Sequence, residues 1–146
     1  MKYSGCTSEH KDERAQDLLR AYHQYLRTHA HIDVEEAFRA IVKMPSRRFW
    51  VSELRAAIVV SGMLHGDDLK NMRPSKRAMF QEIFRRVRQL MGEEQWQGAH
   101  LRQIVSYVID QPAPQFYLSP DTARLYIKPA KKAWHKKHIL KWQRSR

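Results

Sequence analysis

The chain repeats part of itself, and the repeat limits what it can fold into. Residues 45–60 (PSRRFWVSELRAAIVV) and 112–127 (PAPQFYLSPDTARLYI) align without a gap. The alignment pairs Pro45 with Pro112, Phe49 with Phe116, Trp50 with Tyr117, Val51 with Leu118, Ser52 with Ser119, Ala56 with Ala123 and Ile58 with Leu125. At the same offset upstream, Val34, Ala37, Phe38, Ile41 and Val42 match Leu101, Ile104, Val105, Val108 and Ile109. The repeated unit reads as an apolar helix, a proline-led extended segment closed by aromatic–aliphatic–Ser, and a second helix. A unit of this size cannot bury its apolar faces alone, so the fold must be built from the two copies and what packs on them.

At 146 residues the chain suits one domain with a real core. No apolar run approaches the roughly 18 residues of a membrane span, and the first residues lack the apolar segment of a signal peptide. Cys6 is the only cysteine, which fits a reducing compartment. The expected location is therefore cytoplasmic, with no membrane partner.

Helix expectations follow from spacing. Residues 8–28 read as a helix with Ser8 as N-cap and a stripe of Leu18, Leu19, Tyr22, Tyr25 and Leu26. Asp33, with Glu36 three residues on, reads as the N-cap of a helix ending before Pro45, whose apolar face includes Val34. The spacing His29-x-His31-x-Asp33 can ligate a metal, but it lies between two helices with no partner cluster, so no metal site or cofactor is assigned. Ser52 opens a helix apolar almost all round, with Ile58 and Leu64 among its residues, which reads as buried. Pro74 opens a strong helix to about Met91 with Gly92 at its end, and 98–110 reads as the second leading helix. Ser119 before Pro120 is a hydroxyl N-cap followed by proline at the first helical position. The aromatic pairs Phe49–Trp50 and Phe116–Tyr117 recur at equal places, and so read as core anchors rather than base-stacking platforms.

The fold class expected is all-α: five or six helices from two helix–extended linker–helix units at 33–64 and 98–128. The pattern also allows a small two-stranded ribbon between 47–51 and 115–118. Residues 1–128 form the helical domain. Residues 129–146 form a basic tail, because Pro129 interrupts the pattern and the aromatics beyond it are irregularly spaced, as in a segment that orders on a partner.

Charge supplies the functional reading. The net charge is +12, yet from Thr122 onward there are nine Lys or Arg and no acid, which leaves 18 basic against 15 acidic residues elsewhere. Basicity concentrated at one end points to a polyanion, with duplex DNA favoured. The helix after Ser119 offers Thr122, Arg124 and Lys128, and the tail adds Lys131, Lys132, Trp134, Lys136, Lys137, Lys141 and Arg144 as nucleic-acid contacts. A helix, a connection and a second capped helix resemble a helix-turn-helix reader, although the connection 111–118 is longer than usual and lacks the turn glycine. No Gly-rich phosphate loop, paired-cysteine site or nucleophile elbow is present, so no catalytic residue is assigned and a non-enzymatic protein is expected.

The strings RFWVSELRAA and QPAPQFYLSP resemble short uncharacterised proteins carried by bacterial phages and mobile elements, over about residues 34–128. That resemblance implies a setting in which DNA-binding regulators and basic virion components are both common. A non-enzymatic DNA-binding regulator is the first expectation. A structural or assembly protein, whose tail docks on an acidic protein partner or packaged nucleic acid, is the second.

Overall fold

Two stretches of extended backbone, lying side by side and antiparallel, hold the fold together. Ser46 and Ala113, equivalent in the repeat, form an antiparallel bridge in which each amide donates to the other's carbonyl at 3.0 Å. One step outward, Phe49 N–H donates to the Ile109 carbonyl at 3.0 Å and Phe116 N–H to the Val42 carbonyl at 2.9 Å. These two bonds also exchange equivalent positions, since Phe49 corresponds to Phe116 and Val42 to Ile109. Reciprocal contacts of this kind are the mark of a two-fold relation between the halves, as in an isologous dimer, here within one chain. The expected ribbon is thus a single bridge at Ser46 and Ala113, and 47–51 and 115–118 form no strands. The prolines beside the bridge and the departure of each chain into a helix cut the ladder short.

The computed structural model describes residues 10–144. Among them are six α-helices: α1 (Lys11–Thr28), α2 (Val34–Ile41), α3 (Glu53–Leu64), α4 (Pro74–Met91), α5 (Leu101–Ile109) and α6 (Pro120–Arg144), with a short 3-10 turn at Glu94–Trp96. The all-α expectation is therefore met. Asp33 caps α2 by accepting from the amides of Glu35 at 3.0 Å and Glu36 at 3.5 Å. Ser52 and Ser119 cap α3 and α6 alike, accepting from Arg55 N–H and Thr122 N–H, each at 3.1 Å. The cap expected at Ser8 lies outside the described residues, and α1 begins after His10.

The helices divide into two clusters. In one, Leu18, Leu19, Ala21 and Tyr25 of α1, Phe38 and Ile41 of α2, and Ala123, Ile127 and Ala130 of α6 surround Phe116. In the other, Val59 and Val60 of α3, Phe80, Ile83 and Val87 of α4, and Val105, Val108 and Ile109 of α5 surround Phe49. Each repeated unit therefore sends its leading helix to one cluster and its second helix to the other. The two consecutive helices α5 and α6 pack into different clusters, so the helix-turn-helix-like pair does not form. The linker is long enough to cross, and crossing lets Phe116 anchor among α1, α2 and α6.

The repeat reaches further than the sequence alignment. Helices α1 and α4, each of 18 residues, precede the two units, and Asp17, Leu18, Ala21 and Tyr25 are buried at the same spacing as Met79, Phe80, Ile83 and Val87. The 3-10 turn lengthens the connection from α4 to α5, so a search at one constant offset loses this helix pair.

Three local expectations change. Val34 at 45%, Ile58 at 51% and Leu64 at 36% are exposed. Helix α3 is therefore buried along Ala56, Val59 and Val60, and its outer face is open. Finally, α6 continues through Pro129 rather than giving way to a separate tail. Proline removes one backbone donor, but Ala130 is buried just beyond it, and side-chain contacts with α1 continue as far as Trp134.

Candidate nucleic-acid interface

Helix α6 is packed on one side and open on the other. Ala123, Ile127 and Ala130 turn inward, and at 3.6 residues per turn Arg124, Lys128, Lys131 and Lys132 fall within about a 100° arc facing away from them. All four are exposed, as are His135, Lys136 and Lys137. None of Arg124, Lys128, Lys132, Lys136 and Lys137 forms an ion pair among the described residues. The row from Arg124 to Lys136 extends about 18 Å at 1.5 Å per residue. Cations toward the C-terminal end of a helix are also favoured by its dipole.

The remaining expected contacts fare differently. Lys131 is engaged locally, its Nζ 3.2 Å from the Tyr22 hydroxyl and 4.5 Å above that ring. Trp134, expected as a nucleic-acid contact, lies 4.6 Å from the His23 ring on α1 and stacks on His138 at 3.8 Å, though it stays 39% exposed. Burial first, then the neighbouring Arg27, His138 and Lys131, lower the pKa of His23. Thr122 is not on the exposed row. It belongs to the cap, its Oγ1 accepting from Ser119 Oγ at 2.7 Å, and it turns toward a groove. The side chains of Lys141 and Arg144 lie outside the described residues.

That groove, of about 950 Å³, was not anticipated from the sequence. Its walls come in equivalent pairs from the two halves: Trp50 and Tyr117, Val51 and Leu118, Ser52 and Ser119, Ile58 and Leu125. Met79 and Phe80 of α4 contribute apolar surface, and His10, Arg14, Arg55, Arg73 and Lys76 supply positive or titratable groups; no acid among the described residues lines it. The Arg14 guanidinium lies 3.9 Å over the Tyr126 ring, and its Nε is buried without a hydrogen-bond partner among the described residues. Burial lowers the Arg14 pKa, opposed by the neighbouring Tyr126. The signal that could have found this site was the pair Ile58 and Leu125, matched in the repeat, although Ile58 lies in a helix that reads as buried.

No group of three or more His, Cys, Asp or Glu among the described residues is arranged to hold a metal ion, and no helix among them is long and apolar enough to cross a membrane. No protein-family model matches the chain, and neither a curated protein nor a solved structure is significantly similar to it.

Proposed function

We propose that this chain is a non-enzymatic DNA-binding protein that contacts duplex phosphates through the exposed basic row of α6. The observation that carries the reading is that row: Arg124, Lys128, Lys132 and Lys136 stand on one open side of a long helix with no ion-pair partner among the described residues, and no acid occurs from Thr122 onward. Duplex DNA presents about one negative charge per 1.7 Å, so a row of cations on a rigid rod can meet several phosphates at once. Because α5 and α6 do not form a reader pair, the contact expected is with the backbone and only weakly dependent on sequence.

The test is duplex binding across salt concentration. Neutralising Arg124, Lys128, Lys132 and Lys136 to Gln should flatten the slope of log K against log salt by roughly 0.9 for each phosphate no longer neutralised. These side chains are exposed, so the melting temperature should hold. Neutralising Lys43 and Lys70, exposed elsewhere, should leave the slope unchanged. An unchanged slope in the α6 variant would reject the reading in favour of an assembly role on an acidic protein partner. Single-stranded DNA and RNA measured alongside decide the preferred nucleic acid.

A further inference from the structure

The groove beside α6 calls for a different ligand from the basic row. Its apolar walls and the lack of acids among its described lining residues suit an occupant that is both apolar and negatively charged. Nucleic acid fits it poorly, because the aromatic faces that could stack on bases are already used. Phe116 and Tyr117 are buried, the Arg48 guanidinium lies 5.4 Å over the Trp50 ring, and Arg14 covers the Tyr126 ring. The exposed apolar side chains are aliphatic: Ile58 at 51% and Leu125 at 65%.

The cations are spread over several elements: Arg14 at the start of α1, Arg55 on α3, and Arg73 and Lys76 at the start of α4. A single headgroup would use one or two of them, whereas carboxylates spaced along a rod would use most. Residues 1–9, which precede His10 in the sequence, hold one lysine and one glutamate and bring no net negative charge. We propose that the groove docks an acidic amphipathic helix of a partner protein. Its apolar stripe would lie between Ile58 and Leu125, and its carboxylates would face Arg14, Arg55, Arg73 and Lys76. This is helix-in-groove recognition, in which apolar anchors recur at i, i+3 or i+4, and i+7. The proposal does not rest on the DNA-binding reading, since none of Arg124, Lys128, Lys132 and Lys136 lines the groove.

The test selects short random peptides displayed on phage against the full chain. The expected winners carry large apolar residues at helical spacing with Asp or Glu between them. Ile58→Glu and Leu125→Glu, at exposed positions that leave folding intact, should each weaken a winning peptide about tenfold or more. Arg55→Glu should weaken it too, and a peptide with Lys in place of one Glu should recover part of that loss. Duplex binding should be unchanged in Ile58→Glu, and peptide binding unchanged in the variant neutralised along α6. Winners without acids, no enrichment at all, or peptides indifferent to Ile58→Glu and Leu125→Glu would each overturn the proposal. So would sodium oleate or a nucleotide occupying the groove, with dependence on Ile58, where peptides do not.

Discussion

In the first half of the chain the Pro45 carbonyl accepts from Arg20, and in the second half the Pro112 carbonyl accepts from Arg86, each at 3.0 Å. The same job, tying a helix to the crossing linker, is done with different surroundings. Arg20 is held by Asp17 at 2.7 and 2.9 Å, and Asp17 is fully buried. Its other oxygen accepts from Ser46 Oγ at 3.2 Å, Arg47 N–H at 2.9 Å and Trp50 Nε1 at 3.0 Å. Arg86 is held by Glu82 at 2.9 Å, but that carboxylate is shared with exposed Arg85 at 2.6 Å. Ala113 stands where Ser46 does, and Tyr117, at φ +56°, stands where Trp50 does. A buried carboxylate with every lone pair used locks one linker, while a carboxylate nearer the surface steadies the other. The backbone bonds are common to both halves because the topology requires them. The side-chain electrostatics are free to diverge.

The deepest shared feature should give the largest effect. Phe49 and Phe116 are 1% and 4% exposed in opposite clusters. Phe49→Ala and Phe116→Ala should each cost about 3–5 kcal/mol in urea unfolding, by lost transfer energy plus the cavity left behind. Comparable losses would confirm that both rings are anchors of equal rank. A loss confined to one would mean that one cluster carries the fold alone.

The unequal carboxylates come next. In Asp17→Asn, one side of the carboxamide must present N–H groups to donors, either to Arg20 or to the set formed by Ser46, Arg47 and Trp50. A cost of about 2–3 kcal/mol is expected from losing charge-assisted bonds and leaving a buried donor unmatched. Glu82→Gln should cost less than about 1 kcal/mol, as for pairs open to water. Hydrogen bonding from Arg85 in the first place, opposed by burial, holds the Glu82 pKa below its ordinary value. Its small contribution should therefore be complete above about pH 4.3 and drain away as pH falls through the lower folded value. Wild type and Glu82→Gln should converge in acid. Equal costs for Asp17→Asn and Glu82→Gln at neutral pH would break the comparison.

What could be read in advance follows physical range. The caps at Asp33, Ser52 and Ser119 were legible because a cap involves only a few neighbouring residues, and Phe49 and Phe116 because they recur. Asp17 was not, since an acid among charged residues on a helix reads as surface, and its burial depends on partners 29 to 33 residues away. Likewise, periodicity shows that α6 has an apolar face but not that the face belongs against α1 and α2 rather than α5. The basic row of the candidate interface was visible as composition. Its ordering through Pro129 was not, because contacts of Ala130, Lys131 and Trp134 with distant residues sustain the helix. The groove needed both halves in place before its walls could be paired.

The smallest predicted effect tests whether burial, rather than geometry, is what separates the halves. Ser52 and Ser119 make the same cap bond at the same 3.1 Å, but Ser52 is 8% exposed and Ser119 is open to solvent. Removing a cap hydroxyl leaves a helix amide without its acceptor. Where water can reach, it takes over much of the role; where it cannot, the amide stays unpaired. Pro120 further fixes the first helical φ of α6, so the backbone there stays set without the hydroxyl. Ser52→Ala should therefore cost about 1.5 kcal/mol and Ser119→Ala about 0.5 kcal/mol, both inside the range measured for caps. Paired urea titrations resolve a difference of this size if the two transitions keep the same denaturant slope. The reverse order would show that the second crossing depends on its cap more than on its proline, and that solvent exposure is the wrong account of how the two halves differ.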